Sequence, residues 1–102
     1  MKEKLRAGFI GSGFAARFHF DAVKRITSVQ PDISGVYSPT AANASAFAVQ
    51  RGIALAGSAE DLIRNSDIVH ICTPPSSHEP LIIKALEENR HVIVEKPLTG
   101  YF

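Results

Sequence analysis

The stretch Leu5-Arg6-Ala7-Gly8-Phe9-Ile10-Gly11-Ser12-Gly13-Phe14-Ala15-Ala16 decides the fold. Leu5 to Ile10 is a short apolar run that ends in glycines, the pattern of a buried strand. From Phe14 to Ile26, apolar residues fall at Ala15, Phe18, Ala22, Val23 and Ile26. Spacings of three and four predict one face of a helix. Gly11-x-Gly13-x-x-Ala16 lies between the two elements. Gly11 allows the tight turn out of the strand, Gly13 removes a side chain where a pyrophosphate must approach, and Ala16 keeps the helix close to the sheet. The helix N-terminus then presents unbonded N–H groups and a positive dipole end to an anion. Six residues of this kind alone are a weak signal, and an ordinary glycine turn or an adenosyl-cofactor loop competes with it. Their place between a strand and an amphipathic helix makes the dinucleotide reading strong. Gly11, Ser12, Gly13, Phe14 and Ala15 are therefore the predicted phosphate contacts.

The alternation continues outward. Ile33 to Tyr37 reads as the second strand and Thr40 to Arg51 as an alanine-rich helix stopped by Gly52. Ile53 to Ala56 reads as a third, short strand. Ser58 and Asp61 resemble a capping box opening a helix with Leu62 and Ile63. Ile68 to Cys72 is a β-branched fourth strand, followed by Thr73-Pro74-Pro75. Ser77 is placed to cap the next helix, with Pro80 tolerated in its first turn and Leu81, Ile82, Ala85 and Leu86 facing inward. His91 to Val94 is the fifth strand and ends at Glu95-Lys96-Pro97. Five strands alternating with four helices imply an α/β, doubly wound parallel sheet joined by right-handed crossovers, in the order 3-2-1-4-5. The glycine loop, the Thr-Pro-Pro loop and the Glu-Lys-Pro loop all follow strands, so they converge on one edge.

The bulk numbers narrow the classes. A chain of 102 residues, 45% hydrophobic, fits one domain. Eleven basic and ten acidic residues, unclustered, give no reason for a nucleic-acid partner. A lone cysteine, Cys72, cannot form an internal disulfide, and its place in an apolar run suggests buried packing. The N-terminus imitates a secretory signal, but Gly11, Gly13 and Arg17 break its apolar run. No stretch approaches the roughly 18 apolar residues that cross a membrane, and the expected compartment is the cytoplasm. His70 and Cys72 find no partner at a metal-ligand spacing, so no metal site is expected. His19 either packs or bonds the loop after the last strand, with packing favoured. His91 is expected to be structural or exposed, and Phe18 and Phe20 to be core or helix-surface residues.

The second strand should end in the group that reads the adenosine ribose, where a carboxylate favours NAD. Here Tyr37-Ser38-Pro39-Thr40 offers none, and Asp32 is at the wrong end. Ser38 leaves room for a 2′-phosphate, yet no arginine follows it. The cofactor is NAD or NADP, with a slight preference for NADP.

Taken together, Gly11-x-Gly13-x-x-Ala16 with His19, Thr73-Pro74-Pro75-Ser76-Ser77-His78 and Glu95-Lys96-Pro97 closely resemble the glucose-fructose oxidoreductase/inositol dehydrogenase (Gfo/Idh/MocA) family. The resemblance covers essentially the whole chain and implies a Rossmann-like NAD(P)-binding domain over residues 1–102. It implies that Lys96 is the catalytic residue, hydrogen-bonding the substrate hydroxyl and relaying its proton as hydride moves. Partial burial would lower a lysine's pKa into a useful range. Glu95 would orient Lys96 or contact the nicotinamide ribose, and Pro97 would aim the turn. Thr73, Pro74 and His78 would line the middle and nicotinamide end of the dinucleotide. Ser38-Pro39 departs from the acidic or Ser-Arg patterns common in the family.

Family members continue into a substrate domain, so residues 1–102 are expected to be an incomplete cofactor domain, truncated before that part. The implied activity is hydride transfer to or from a secondary alcohol of a sugar, polyol or related metabolite, with these 102 residues inactive by themselves. A non-catalytic dinucleotide-sensing module is the alternative, against which the presence of Lys96 argues. An apolar surface left for the missing part predicts self-association.

Overall fold

The computed structural model describes residues 4–26 and 30–94. Glu95, Lys96 and Pro97 lie outside the described residues. At the centre of the sheet is β1 (Lys4–Ile10), hydrogen-bonded in parallel to β2 (Gln30–Tyr37) on one side and β3 (Ile68–Ile71) on the other. β4 (His91–Val94) extends the sheet beyond β3, so the order is β2-β1-β3-β4. The crossovers are helical. α1 (Phe14–Lys24) links β1 to β2, α2 (Ala41–Arg51) and α3 (Ala59–Arg64) lie between β2 and β3, and α4 (His78–Glu87) precedes β4. Among the described residues no helix is long and apolar enough to cross a membrane.

Among the described residues the sheet therefore has four strands, not the five expected. The segment Ile53 to Ala56 lies beside β2, where a third strand belongs, but makes only one bridge, Val36 to Leu55. Val36 N–H donates to the Ala54 carbonyl (3.0 Å) and Ala56 N–H donates to the Val36 carbonyl (2.9 Å). No room remains for a longer ladder. Gly52 closes α2 in the left-handed conformation (φ 65°), and Ser58 already caps α3 by accepting from Asp61 N–H at 3.1 Å. The box is half formed, because the Asp61 carboxylate turns to Arg64 instead, 3.6 Å away.

Strand alternation divides the core into two layers. Ala7, Phe9 and Val36 face α1 and α2, while Ile10, Val69 and Ile71 face α3 and α4. The side of α1 that packs differs from the expected one. Ala16, Phe20 and Val23 are buried, whereas Phe18 and Ile26 are exposed. Apolar residues surround this helix, so spacing alone does not select a face. Phe20 is chosen because its ring meets Phe9 (5.7 Å between centroids) and Phe47 (6.1 Å). In α4, Ala85 is buried and Leu81 and Ile82 pack on the core, but Leu86 is exposed. Cys72 follows the end of β3 and is partly buried against the α1–α2 layer.

At the far end of the sheet from the glycine loop, Asp67 accepts from the Arg6 backbone N–H (2.8 Å) and pairs with its guanidinium (3.0 Å). Hydrogen bonds from Arg6 hold the Asp67 carboxyl at about 2, below the ordinary range. The bridge clamps the start of β1 to the turn before β3, which leaves the carboxyl ends of both strands in register.

Candidate functional site

Above the carboxyl ends of β1, β2 and β3 lies a cleft of about 1020 Å³, near the upper size of small-molecule sites. Its floor is drawn together by the backbone. Gly11 N–H donates to the Tyr37 carbonyl (2.7 Å) and Cys72 N–H donates to the Ile10 carbonyl (2.8 Å). Both bonds continue the ladders one step beyond the strands, so three loops diverge from one line.

The two loop glycines do different work. Gly11 has φ +107°, and a Cβ there would sit 2.6 Å from the Cys72 carbonyl oxygen. The fold itself requires it. Gly13 has an ordinary φ of −91°, and a Cβ would meet nothing within 4 Å. Among the described residues no neighbour accounts for its missing side chain, but a phosphate pressed against the loop would.

Gly13 is also the N-cap of α1 and has no side chain to cap it. The first intrahelical bond runs from Arg17 N–H to the Gly13 carbonyl (3.1 Å). The N–H groups of Phe14, Ala15 and Ala16 thus lack helical partners, and the first turn contains no acid. Unbonded donors at a positive helix end match the pyrophosphate of a dinucleotide.

Across the cleft, Ser38 follows β2 and accepts from Thr40 N–H at 3.2 Å. The loop after β3 is braced from below. Ser77 is hydrogen-bonded to Thr73 Oγ1 (2.6 Å) and the Pro74 carbonyl (2.9 Å), and so bends back to the loop rather than capping α4. His78, 2% exposed, donates from Nε2 to the Thr73 carbonyl at 2.8 Å.

The structure brings Gly11, Ser12, Gly13, Ser38, Thr73 and Pro74 to one cleft. Phe14 and Ala15 lie just inside α1 and do not line it; their N–H groups, not their side chains, face the glycine loop. His78 lies beneath the loop rather than on the cleft wall. Glu95 and Lys96 lie outside the described residues.

Sequence reading missed Asn43, Glu60, Pro80, Leu81 and Lys84, which also line the cleft. All stand within two turns of a helix start, and crossover topology returns every such turn to this edge; that is the signal that could have found them. Lys84 pairs with Glu60 across the mouth of α3 and α4 and holds its carboxyl below the usual range.

His19 was expected to pack or to bond the loop after the last strand, with packing favoured. Its ring packs edge to face on His70 of β3, 5.3 Å between centroids and 3.1 Å from Nδ1 to Nδ1, while the loop after the last strand lies outside the described residues. Burial, and then His19, hold His70 down at about 4.

Comparison with known proteins agrees with this geometry. The profile of the Gfo/Idh/MocA group, described as an oxidoreductase family with an NAD-binding Rossmann fold, matches residues 5–101. An inositol 2-dehydrogenase of Corynebacterium glutamicum is 37% identical across 97% of this chain and 30% of its own length. The solved UDP-N-acetylglucosamine 3-dehydrogenase of Acidithiobacillus ferrooxidans superposes with a TM-score of 0.84 at 30% identity, across 94% of this chain and 29% of that one. An oxidoreductase of Thermotoga maritima superposes with the same TM-score at 37% identity, across 95% and 31%. The chain spans about 30% of the length of these relatives.

Proposed function

The chain belongs to the Gfo/Idh/MocA oxidoreductase family through its NAD-binding Rossmann domain, and from that premise we propose that it is the cofactor-binding part of a dehydrogenase acting on a secondary alcohol of a sugar or polyol. The observation that carries the reading is the convergence of Gly13, Ser38 and Thr73 on one cleft, with an uncapped helix N-terminus at its mouth. The printed names of the relatives, dehydrogenases of inositol and of a nucleotide sugar, support the substrate class.

A nicotinamide cofactor, when bound, supplies the hydride acceptor or donor. Gly11, Ser12 and Gly13 hold the pyrophosphate with the N–H groups of Phe14 and Ala15. Ser38 faces the adenosine ribose and, having no carboxylate, favours NADP slightly over NAD. Thr73 and Pro74 line the passage towards the nicotinamide, and His78 holds that loop from beneath. Lys96 handles the substrate proton, with Glu95 orienting it or contacting the nicotinamide ribose. Both assignments rest on the Glu95-Lys96-Pro97 motif.

Residues 1–102 act as an incomplete NAD(P)-binding domain, with substrate held by the remainder of such a protein. The reading further places the protein in the cytoplasm, with a small-molecule substrate and no nucleic-acid or membrane partner. Exposed Phe14 and Phe18, whose rings lie 6.5 Å apart, support self-association. Titration of the chain with NADH and NADPH tests the cofactor reading. Saturable binding of at least one is expected, and a folded chain that binds neither at millimolar concentration overturns it.

A further inference from the structure

Between α1 and α2 a second pocket of about 310 Å³ opens beside the cleft and shares Ser12, Gly13 and Asn43 with it. Its walls carry two cations, Arg17 and Arg51, and no carboxylate. Arg17 stands one turn into α1, where a long side chain leans back over the helix N-terminus. Among the described residues its side chain has no ion pair and no hydrogen bond. Arg51 is held over the Phe47 ring at 4.0 Å, with Phe20 at 5.6 Å. Stacking occupies the face of a guanidinium and leaves its N–H edge for an acceptor. That edge now makes a long contact to Gln50 Oε1, 3.4 Å.

We infer that this pocket receives the 2′-phosphate of an NADP-type dinucleotide, with Arg17 as the residue that distinguishes it from NAD. The inference rests on the cofactor reading above. Ser38 and Asn43 both line the cleft and Asn43 lines the pocket as well, so an adenosine ribose held at Ser38 would lie beside the rim where the two meet. Ser38 presents a hydroxyl where a carboxylate would repel a dianion. A guanidinium fork matches two phosphate oxygens at once, and Arg51 adds a second positive charge to the same wall. The cation missing from the β2–α2 loop is therefore supplied by α1, and a search for an arginine following Ser38 could not find it.

Calorimetric titration of the chain with 2′,5′-ADP, 5′-AMP and inorganic phosphate tests this. The first two probes differ by the 2′-phosphate alone. The wild-type chain is expected to bind 2′,5′-ADP about 10- to 100-fold more tightly than 5′-AMP. Arg17→Ala should abolish most of that ratio by weakening 2′,5′-ADP far more than 5′-AMP, while Arg17→Lys, which keeps the charge but not the fork, should retain part of it. Arg17 is exposed, so both variants should fold, which far-UV circular dichroism checks. If 5′-AMP binds but 2′,5′-ADP binds no better, or if Arg17→Ala preserves the ratio, the inference is overturned while the cofactor reading stands. Inorganic phosphate binding as tightly as 2′,5′-ADP would make the pocket a free-anion site and also overturn it. If neither nucleotide binds, both readings fall together.

Discussion

His19 Nδ1 lies 3.1 Å from His70 Nδ1, which ties the second turn of α1 to the middle of β3. The rings meet edge to face at 80°, and His70 stacks on Phe9 at 4.7 Å. Two Nδ1 atoms can share one proton, one donating and the other accepting. A hydrogen on both Nδ1 atoms would set two donors against each other and break the contact. The helix that presents the glycine loop is thus anchored to His70, a side chain that burial keeps neutral down to about pH 4.

This anchoring gives stability a defined pH dependence. Folded His70 takes its proton at about 4, whereas the unfolded chain takes it near 6.5. As pH falls, the unfolded state protonates first. The contribution of His70 is fully present above about pH 6.5, is lost progressively towards pH 4 and is level below that; its size is on the order of 3 kcal/mol at most. Urea denaturation of the wild type and His70→Phe across pH 4 to 7 checks this. The variant should show a flatter profile, and equal slopes would refute the assignment.

The two loop glycines should separate folding from binding. Gly13→Ala meets no neighbour among the described residues and needs no unusual φ, so its unfolding free energy should fall by only about 1 kcal/mol, the difference between glycine and alanine at an N-cap. Dinucleotide affinity should nevertheless fall at least about tenfold, because the methyl group occupies the approach of the phosphate. Gly11→Ala should lose about 1–3 kcal/mol from the backbone conformation alone, before its contact with the Cys72 carbonyl is counted. Thermal unfolding and NADH titration of both variants give the comparison.

Removing the brace under the Thr73–Pro74 loop should act on affinity more than on fold. Ser77→Ala deletes two hydrogen bonds that hold the loop to the start of α4. A loss of roughly 1 kcal/mol in loop ordering corresponds to about fivefold weaker cofactor binding. An unchanged dissociation constant would show that His78 and the backbone bond from Ser77 N–H to the Pro74 carbonyl (3.0 Å) suffice to hold the loop.

In a full-length protein containing this domain, Lys96→Ala should lower kcat by about 10²- to 10⁴-fold, the usual worth of a positioned proton-transfer group. Cofactor affinity, measured by fluorescence titration with NADPH, should change little. A variant that loses affinity but keeps kcat would make Lys96 a binding residue.

Much of the fold is legible in local pattern. Leu5 to Ile10 and Ile68 to Cys72 read as strands because buried parallel strands are apolar on both faces. Gly52 marks the end of α2 because only a residue tolerant of φ 65° continues the chain there. Where two local signals compete, pattern falls short. Ile53 to Ala56 has strand composition, but the caps on either side leave it one bridge. On α1, Phe18 and Phe20 are equally apolar, and only the rings of Phe9 and Phe47 decide which is buried.

The sequence by itself determined that a glycine loop joins a strand to a helix, that three loops follow strands, and that no carboxylate closes β2. These are properties of neighbours along the chain, set by backbone conformation and hydrophobic period. Only the tertiary structure decided that His19 meets His70, and that Arg17 and Arg51 share a pocket beside the glycine loop. Such pairs arise from the rotation of each helix about its axis, which is settled by packing against the sheet and leaves no mark in the spacing of either residue.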